Sequence, residues 1–246
     1  MRRALEPRLP VVGLVPTMGA LHAGHEALLA AARGDCDVVV VSIFVNPAQF
    51  DDDADLAAYP RDEARDALLA EAAGADLLFV PSAEELYPPG FQTWVEVEEL
   101  SSDLEGAHRP GHFRGVATVC LKLFNIVRPQ LAYFGQKDAQ QVAVIRRLVR
   151  DLDLNLTVRS IPTVRDADGL ALSSRNGRLS PAERELALTL PRALATRDVD
   201  AARAALAGLE VDYVEVAEFD PPVLAAAVRV GSTRLLDNVI LEEEDR

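Results

Sequence analysis

Five apolar residues, Val11 to Val15, run directly into Pro16-Thr17-Met18-Gly19-Ala20-Leu21-His22-Ala23-Gly24-His25 and then into a helix-forming run from Glu26 to Arg33. A strand, a glycine-bearing turn and a helix in that order leave few choices of architecture. Such a unit belongs to a sheet whose strands are joined by helical crossovers. In open sheets of that kind ligands bind outside the carboxyl ends of the strands. A helix N-terminus there offers unpaired N–H groups and the positive end of a dipole, both suited to phosphate. Glycine lets backbone approach an anion closely, and imidazole adds hydrogen-bond donors. Alone, an H-x-x-H pair also fits an incidental turn or half of a metal site. The coincidence of strand, glycine turn and helix is what points to phosphate.

The same alternation continues. Val38 to Val45 is β-branched and nearly free of polar residues, as a strand buried on both faces should be. Ala54 to Ala73 predicts a surface helix stopped by Gly74. Leu77 to Val80 predicts a short buried strand, Val116 to Val127 a helix, Leu131 to Phe134 a strand, and Ala139 to Leu152 an amphipathic helix with Arg146, Arg147 and Arg150 outward. The pattern changes near Thr163. A loop from Arg165 to Leu179 precedes a helix opened by Ser180-Pro181, an N-cap followed by proline in the first turn. A short alanine-rich helix near Ala201 to Leu209 and three strand-like runs, Tyr213–Val216, Ala225–Val230 and Leu235–Leu241, complete the chain. The expected fold is α/β: a Rossmann-like, doubly wound parallel sheet over residues 1–163, with a smaller C-terminal α+β lid domain over 164–246.

Net charge is −14, which argues against a surface that coats nucleic acid or binds anionic membranes. A local cationic pocket for ATP is compatible with it. No apolar run reaches the roughly 20 residues that span a bilayer, and the opening MRRALEPRLP has no apolar core of signal-peptide length. The two cysteines, Cys36 and Cys120, suggest no disulfide framework. A reducing cytoplasm is the expected location.

Three further segments carry chemistry. Asn46-Pro47-Ala48-Gln49-Phe50 follows the strongest strand, and the Gln49 amide suits a small hydroxylated acid. Phe134-Gly135-Gln136-Lys137-Asp138, with Gln141 one turn on, follows another strand. Lys137 supplies a compact charge there, and Asp138 either faces ribose hydroxyls or caps a helix. Leu172-Ser173-Ser174-Arg175-Asn176 places two hydroxyls and a guanidinium on a loop, as a phosphate clamp or a plain polar turn. The glycine-rich basic stretch from Glu105 to Gly115 is a candidate cover. The four histidines fall in two pairs, His22/His25 and His108/His112, so a four-histidine zinc site is an alternative.

The segments PTMGALHAGH, SIFVNPAQF, AYPRD (Ala58 to Asp62), HFRGVATVCLKL, FGQKDAQQ, DGLALSSRN and TRLLDN (Thr233 to Asn238) occur in the order and spacing of the pantothenate synthetase (pantoate–β-alanine ligase) family. That family resembles the nucleotidyltransferases with HIGH-like and KMSKS-like signatures, here His22-Ala23-Gly24-His25 and Ser173-Ser174-Arg175-Asn176. The resemblance implies a cytoplasmic, homodimeric enzyme that condenses pantoate with β-alanine, using ATP and Mg²⁺, through pantoyl adenylate. It places ATP on Met18, Gly19, Ala20, Leu21, His22, Ala23, Gly24 and His25, on Gly135, Gln136, Lys137 and Asp138, on Val164, and on Leu172, Ser173, Ser174 and Arg175. Among these, His22, His25, Lys137, Ser173, Ser174 and Arg175 would be catalytic, with His25 as proton donor. Gln49 and Gln141 would hold pantoate, and Gln49 would also meet β-alanine. Pro16, Phe134, Val119 and Cys120 would wall the apolar side. No protein ligand to a metal is implied. Two features depart from the family: Leu172 stands where many relatives have methionine, a near-isosteric exchange, and the stretch from Leu194 to Asp212 is compact. Two rivals are a nucleotidyltransferase that stops at an adenylated product and a nucleotide sensor without turnover.

Overall fold

The computed structural model describes residues 9–242. The inference drawn from the N-terminal decapeptide therefore lies, but for Leu9 and Pro10, outside the described residues. Five parallel strands form the first sheet: β1 (Val12–Thr17), β2 (Val38–Ile43), β3 (Leu77–Phe79), β4 (Leu131–Gly135) and β5 (Thr157–Ile161). Their order is β3-β2-β1-β4-β5. The chain steps outward from β1 to β3, then crosses back to place β4 on the other side of β1. This is the doubly wound order, and its reversal point lies between β1 and β4.

Helices cover both faces. On one side α1 (Ala23–Asp35) buries Leu28, Leu29 and Ala32 against Val15, Val39 and Val41. On the other, α6 (His112–Val127) and α7 (Ala139–Asp151) bury Phe113, Val116, Leu123, Phe124, Ile145 and Leu148 against Leu14, Val40 and Phe134. Burial on both faces explains why β1 and β2 read as continuous apolar runs.

The helix expected across Ala54–Ala73 is instead two, α2 (Asp53–Ala58) and α3 (Glu63–Ala72). Pro60 cannot continue a helix. Asp52 and Asp62 each cap a new start, and the Arg61 guanidinium donates to the carbonyls of Leu56 and Tyr59 at the end of α2. The expected buried strand at Leu77 is an edge strand, with Leu77 59% exposed. Strand β5 has no counterpart in the sequence reading, because Thr157 and Arg159 break its apolar pattern at the opposite edge. Two short helices, α4 (Ala83–Leu86) and α5 (Glu105–His108), lie between β3 and α6.

The C-terminal part is a three-stranded antiparallel sheet, β6 (Glu210–Ala217), β7 (Val223–Val230) and β8 (Thr233–Ile240). One face packs on α8 (Pro181–Ala187), α9 (Thr189–Leu194) and α10 (Val199–Leu206) through Leu188, Leu190, Leu194, Leu206, Val214 and Leu224. Ser180 and Glu183 form the reciprocal cap of α8. The other face, through Tyr213, Ala217, Val223, Ala225 and Ala227, packs on Leu104 and Ala139 of the first part. The sheet is thus sandwiched, so β7 is apolar nearly throughout.

Charge also joins the two parts. Buried Glu105 accepts two hydrogen bonds from the Arg234 guanidinium, at 2.6 and 2.8 Å, and one from the Tyr213 hydroxyl at 2.7 Å. Burial alone would raise the Glu105 carboxyl, but Arg234 and Tyr213 hold it below its usual range. Removing one partner of such a pair strands the other charge. We expect Arg234→Met to destabilise the protein by about 3–5 kcal/mol in urea unfolding, and Glu105→Gln with Arg234→Met to recover part of that loss. An unchanged midpoint for the single variant would refute the role of this contact.

Candidate active site

A cleft of about 260 Å³ opens at the carboxyl ends of the parallel strands. Its floor is the β1–α1 turn, where two hydrogen bonds decide the geometry. Asp66 of α3, 1% exposed, accepts from the backbone N–H of Ala20 at 2.7 Å and of Leu21 at 2.8 Å. Gly19 and Ala20 both have positive φ, +82° and +51°. A Cβ on Gly19 would stand 2.8 Å from the Asp66 Oδ2, so only glycine fits there. Thr17 completes the turn by donating to the Ser42 carbonyl and accepting from the Gly19 N–H.

The turn delivers His22 and His25 as a reciprocal cap. His22 Nδ1 accepts from the Gly24 N–H at 3.1 Å, and His25 Nδ1 accepts from the His22 N–H at 3.3 Å. Both Nδ1 atoms are acceptors, so each neutral ring carries its proton on Nε2. Burial, then the His22 ring, pushes His25 down from its ordinary 6.5 to about 3. Burial and the Lys137 charge lower His22 as well. Both imidazoles are uncharged at neutral pH.

The β4 side contributes Gly135, Lys137, Asp138 and, from α7, Gln141. Lys137 is 20% exposed and lies 3.4 Å from Asp138. Asp138 makes no side-chain cap at α7 and is 46% exposed. The capping alternative therefore fails, and Asp138 is the one carboxylate lining the cleft among the described residues.

The β2 side supplies Gln49, whose amide is fixed at both ends. Its Oε1 accepts from Asn46 Nδ2 at 3.0 Å, and its Nε2 reaches Met18 Sδ at 3.2 Å. Asn46 also donates to the Gly115 carbonyl. A Cβ at Gly115 would stand 2.2 Å from the Ala48 carbonyl oxygen, so α6 packs against this turn only because residue 115 is glycine. The Gln49 carbonyl accepts from His112 Nδ1 at 2.8 Å and Arg109 at 3.2 Å. Burial, then Arg109, pushes His112 down to about 4. Pro16, Val119, Cys120 and Phe134 form the apolar wall. Burial pushes the Cys120 thiol up to about 12, so it serves as apolar surface.

The far rim comes from the loop after β5. Val164, Leu172, Ser173, Ser174 and Arg175 all line the cleft. Ser173 caps a single 3₁₀ turn, Ser174–Arg178. Asp55 of α2 holds Arg175 and Arg178, each at 2.8 Å. Burial would raise the Asp55 carboxyl, but the two arginines keep it below its usual range.

Of the residues named from sequence, Gly19, Ala20, Leu21, Ala23 and Gln136 stand off the cleft. The N–H groups of Ala20 and Leu21 serve Asp66, and Leu21 is core. Gln136 turns inward to the Ser160 hydroxyl at 2.6 Å. Of the candidate cover from Glu105 to Gly115, only Arg109 and His112 reach the cleft, while Glu105, Phe113 and Gly115 are buried. The histidine pairs do not converge. His108 packs on Tyr213, and among the described residues no three His, Cys, Asp or Glu side chains form a metal-holding group. Phe44, Tyr59, Thr163 and Leu236 also line the cleft and Asp66 carries its floor, and none of the five is marked as a site residue by type or spacing in the sequence. Tyr59 lies within the AYPRD motif that supported the resemblance, and Leu236 within TRLLDN.

A sequence profile described as pantoate–β-alanine ligase matches residues 1–240. The pantothenate synthetase of Heliobacterium modesticaldum is 54% identical over 257 aligned positions, covering 94% of this chain and 92% of its own. The crystal structure of the pantothenate synthetase from Thermus thermophilus superposes with a TM-score of 0.91 at 46% identity, covering 97% of this chain and 95% of that one. The pantoate–β-alanine ligase from Francisella tularensis, solved with β,γ-ATP and β-alanine, gives 0.84 at 36% identity, covering 97% and 93%.

Asp66→Ala leaves the buried Leu21 N–H and the part-buried Ala20 N–H without a partner, at on the order of 1–3 kcal/mol for the buried one and less for the other. We expect a matching loss in urea unfolding, with faster hydrogen exchange at Ala20 and Leu21. Unaltered exchange at both amides would remove Asp66 from its role.

Proposed function

The chain belongs to the pantoate–β-alanine ligase family, and from that premise we propose that it joins pantoate to β-alanine in two steps at this cleft. The pantoate carboxylate attacks the α-phosphorus of ATP, giving pantoyl adenylate and pyrophosphate. The amine of β-alanine then attacks the acyl carbon, forming the amide and expelling AMP. The observation that carries this reading is the convergence of Gln49 and Gln141 with His22, His25, Lys137 and Ser173–Arg175 around one cleft at the β1/β4 reversal.

The first step needs no base, because a carboxylate is already ionised at pH 7. Its difficulty is the approach of one anion to another. Positioned donors and positive charge in a partly dry cleft answer that. We assign Lys137 and Arg175 to the phosphates, with Ser173 and Ser174 as hydroxyl donors. His22 and His25 donate from Nε2–H as neutral rings, so His25 acts as a hydrogen-bond donor and not as an imidazolium acid. Gln49 and Gln141 hold pantoate against Pro16, Val119, Cys120 and Phe134. Mg²⁺ belongs with the nucleotide: phosphate oxygens would carry most of its coordination and Asp138 is the nearby carboxylate, a donor set that suits this ion. When bound, it neutralises phosphate charge. We divide the chain at 163/164, after β5, and assign it a homodimeric, cytoplasmic existence. No helix among the described residues is long and apolar enough to cross a membrane.

Pyrophosphate release should require ATP and pantoate, and AMP release should require β-alanine in addition. AMP formation independent of β-alanine would favour a nucleotidyltransferase, and ATP binding without pantoate-dependent turnover a sensor. Lys137→Ala and His25→Ala should each lower adenylation by about 10²-fold or more. The pH profile separates the two roles of His25. A depressed pKa means the folded protein resists protonation, so its contribution to stability is complete above 6.5 and is lost as pH falls toward 3. The ratio of wild-type to His25→Gln adenylation rates should therefore stay flat between about pH 5 and 8. A ratio that titrates near 6.5 would restore the imidazolium.

A further inference from the structure

We propose that Asn238, on the last strand of the C-terminal sheet, is a positioning residue for the nucleotide site, because its side-chain amide fixes the backbone that carries Lys137. The proposal rests on the reading of Lys137 as a phosphate ligand. Asn238 is 5% exposed. Its Nδ2 donates to the carbonyl of Gln136 at 2.9 Å and to the carbonyl of Lys137 at 2.8 Å. These successive carbonyls belong to the one-turn 3₁₀ segment Gln136–Asp138, between β4 and α7. Both hydrogens of one amide are used, which also fixes the amide's orientation: turned over, its oxygen would face two carbonyl oxygens.

The segment is held from the other side as well, since Gln136 Oε1 accepts from the Ser160 hydroxyl of β5. Between β5 and β8 the backbone is clamped, and the Lys137 side chain is left to reach the cleft. The adjoining Asp237 performs a parallel task. Its carboxylate accepts from Arg165 at 2.5 and 3.1 Å, and Arg165 donates onward to the Gly169 carbonyl within the loop that leads to Ser173–Arg175. One strand thus sets the origin of the lysine and the root of the clamp loop.

The cost at Asn238 marks what the residue is for. Its Oδ1 is buried without a hydrogen-bond partner. A leucine, with the same branched set of heavy atoms, would strand no acceptor there; it would also leave both carbonyls of the lysine turn unheld. Lysine is a point charge on a flexible stem, so its place beside a phosphate depends on where its backbone starts. A shift of about 1 Å in such a group costs on the order of 10²-fold in rate.

The test compares Asn238→Leu, which keeps the branched shape and removes both donors, with Asn238→Asp, which sets an oxygen against the carbonyls. Each is measured by pyrophosphate release from ATP and pantoate, and by amide formation from preformed pantoyl adenylate with β-alanine. We expect adenylation to fall about 10- to 100-fold in both, with the amide-forming step and the KM for pantoate unchanged. In a Lys137→Ala background Asn238→Leu should cost nothing further, because its effect passes through Lys137. A folded Asn238→Leu protein with wild-type adenylation overturns the proposal. So does an equal loss in the Lys137→Ala background, which would mark a general structural role. If Asn238→Leu does not fold, Asn238→Ser retains a single short donor, and wild-type adenylation in that variant overturns the proposal equally. If Lys137→Ala alone adenylates normally, the assignment of Lys137 fails and the proposal falls with it, a result distinct from the others.

Discussion

The structure depends on the reversal of strand order at β1. Two parallel neighbours, β2 and β4, leave in opposite topological directions, so the connections at their carboxyl ends diverge and a crevice opens between them. Everything that makes a site is strung along that crevice. The β1–α1 turn brings His22 and His25, the β2 end brings Asn46 and Gln49, and the β4 end brings Lys137 and Asp138. None of these residues need lie near the others in sequence. Strand order alone makes them neighbours, and a core on each face of the sheet keeps the order from slipping.

The C-terminal sheet is anchored to the first part by packing and by polar contacts. Its inner face is apolar and packed on Leu104 and Ala139, and its polar contacts are buried or part-buried. Arg234 meets Glu105 at the start of α5, Asp237 meets Arg165 at the loop root, and Asn238 meets the lysine turn. The first and last of these contacts cross to the first part, and a body held at both does not swing as a unit without breaking them. The loop carrying Ser173–Arg175 is held differently, by one partly exposed carboxylate, Asp55. A triphosphate competes directly for such arginines. Any closure over nucleotide is thus cheaper in this loop than in the domain that bears it.

Much of this is legible in the sequence because burial writes itself into composition. The apolar runs of β1 and β2 and the periodicities of α6 and α7 follow from sides that must avoid water. Edge elements do not obey that rule. β3 and β5 sit at the two margins, where Leu77 faces solvent and Thr157 and Arg159 interrupt the pattern. One therefore reads as a buried strand, and the other does not read as a strand at all. In the site, residues whose side chains reach the cleft are legible by type and spacing. Those whose role is to hold backbone are not. Asp66 and Asn238 act across 46 and about 100 positions of sequence, and nothing local distinguishes a buried carboxylate that serves two amides from a surface one.

The histidine pair shows why that second class matters for chemistry. The spacing H-x-x-H reads as two donors aimed at phosphate, and in the fold each ring is first a cap. Because Nδ1 accepts a backbone N–H in both, the tautomer is chosen by the helix start and not by the ligand. The choice leaves Nε2–H as the remaining donor on each ring. Burial then keeps both rings neutral. A neutral donor of fixed orientation suits an oxygen whose charge rises and falls within one step, because it needs no reorganisation to follow that charge. The constraint that fixes this is upstream of either histidine. Asp66 holds the left-handed pair Gly19-Ala20, that pair aims the chain into α1, and the first turn of α1 sets both rings.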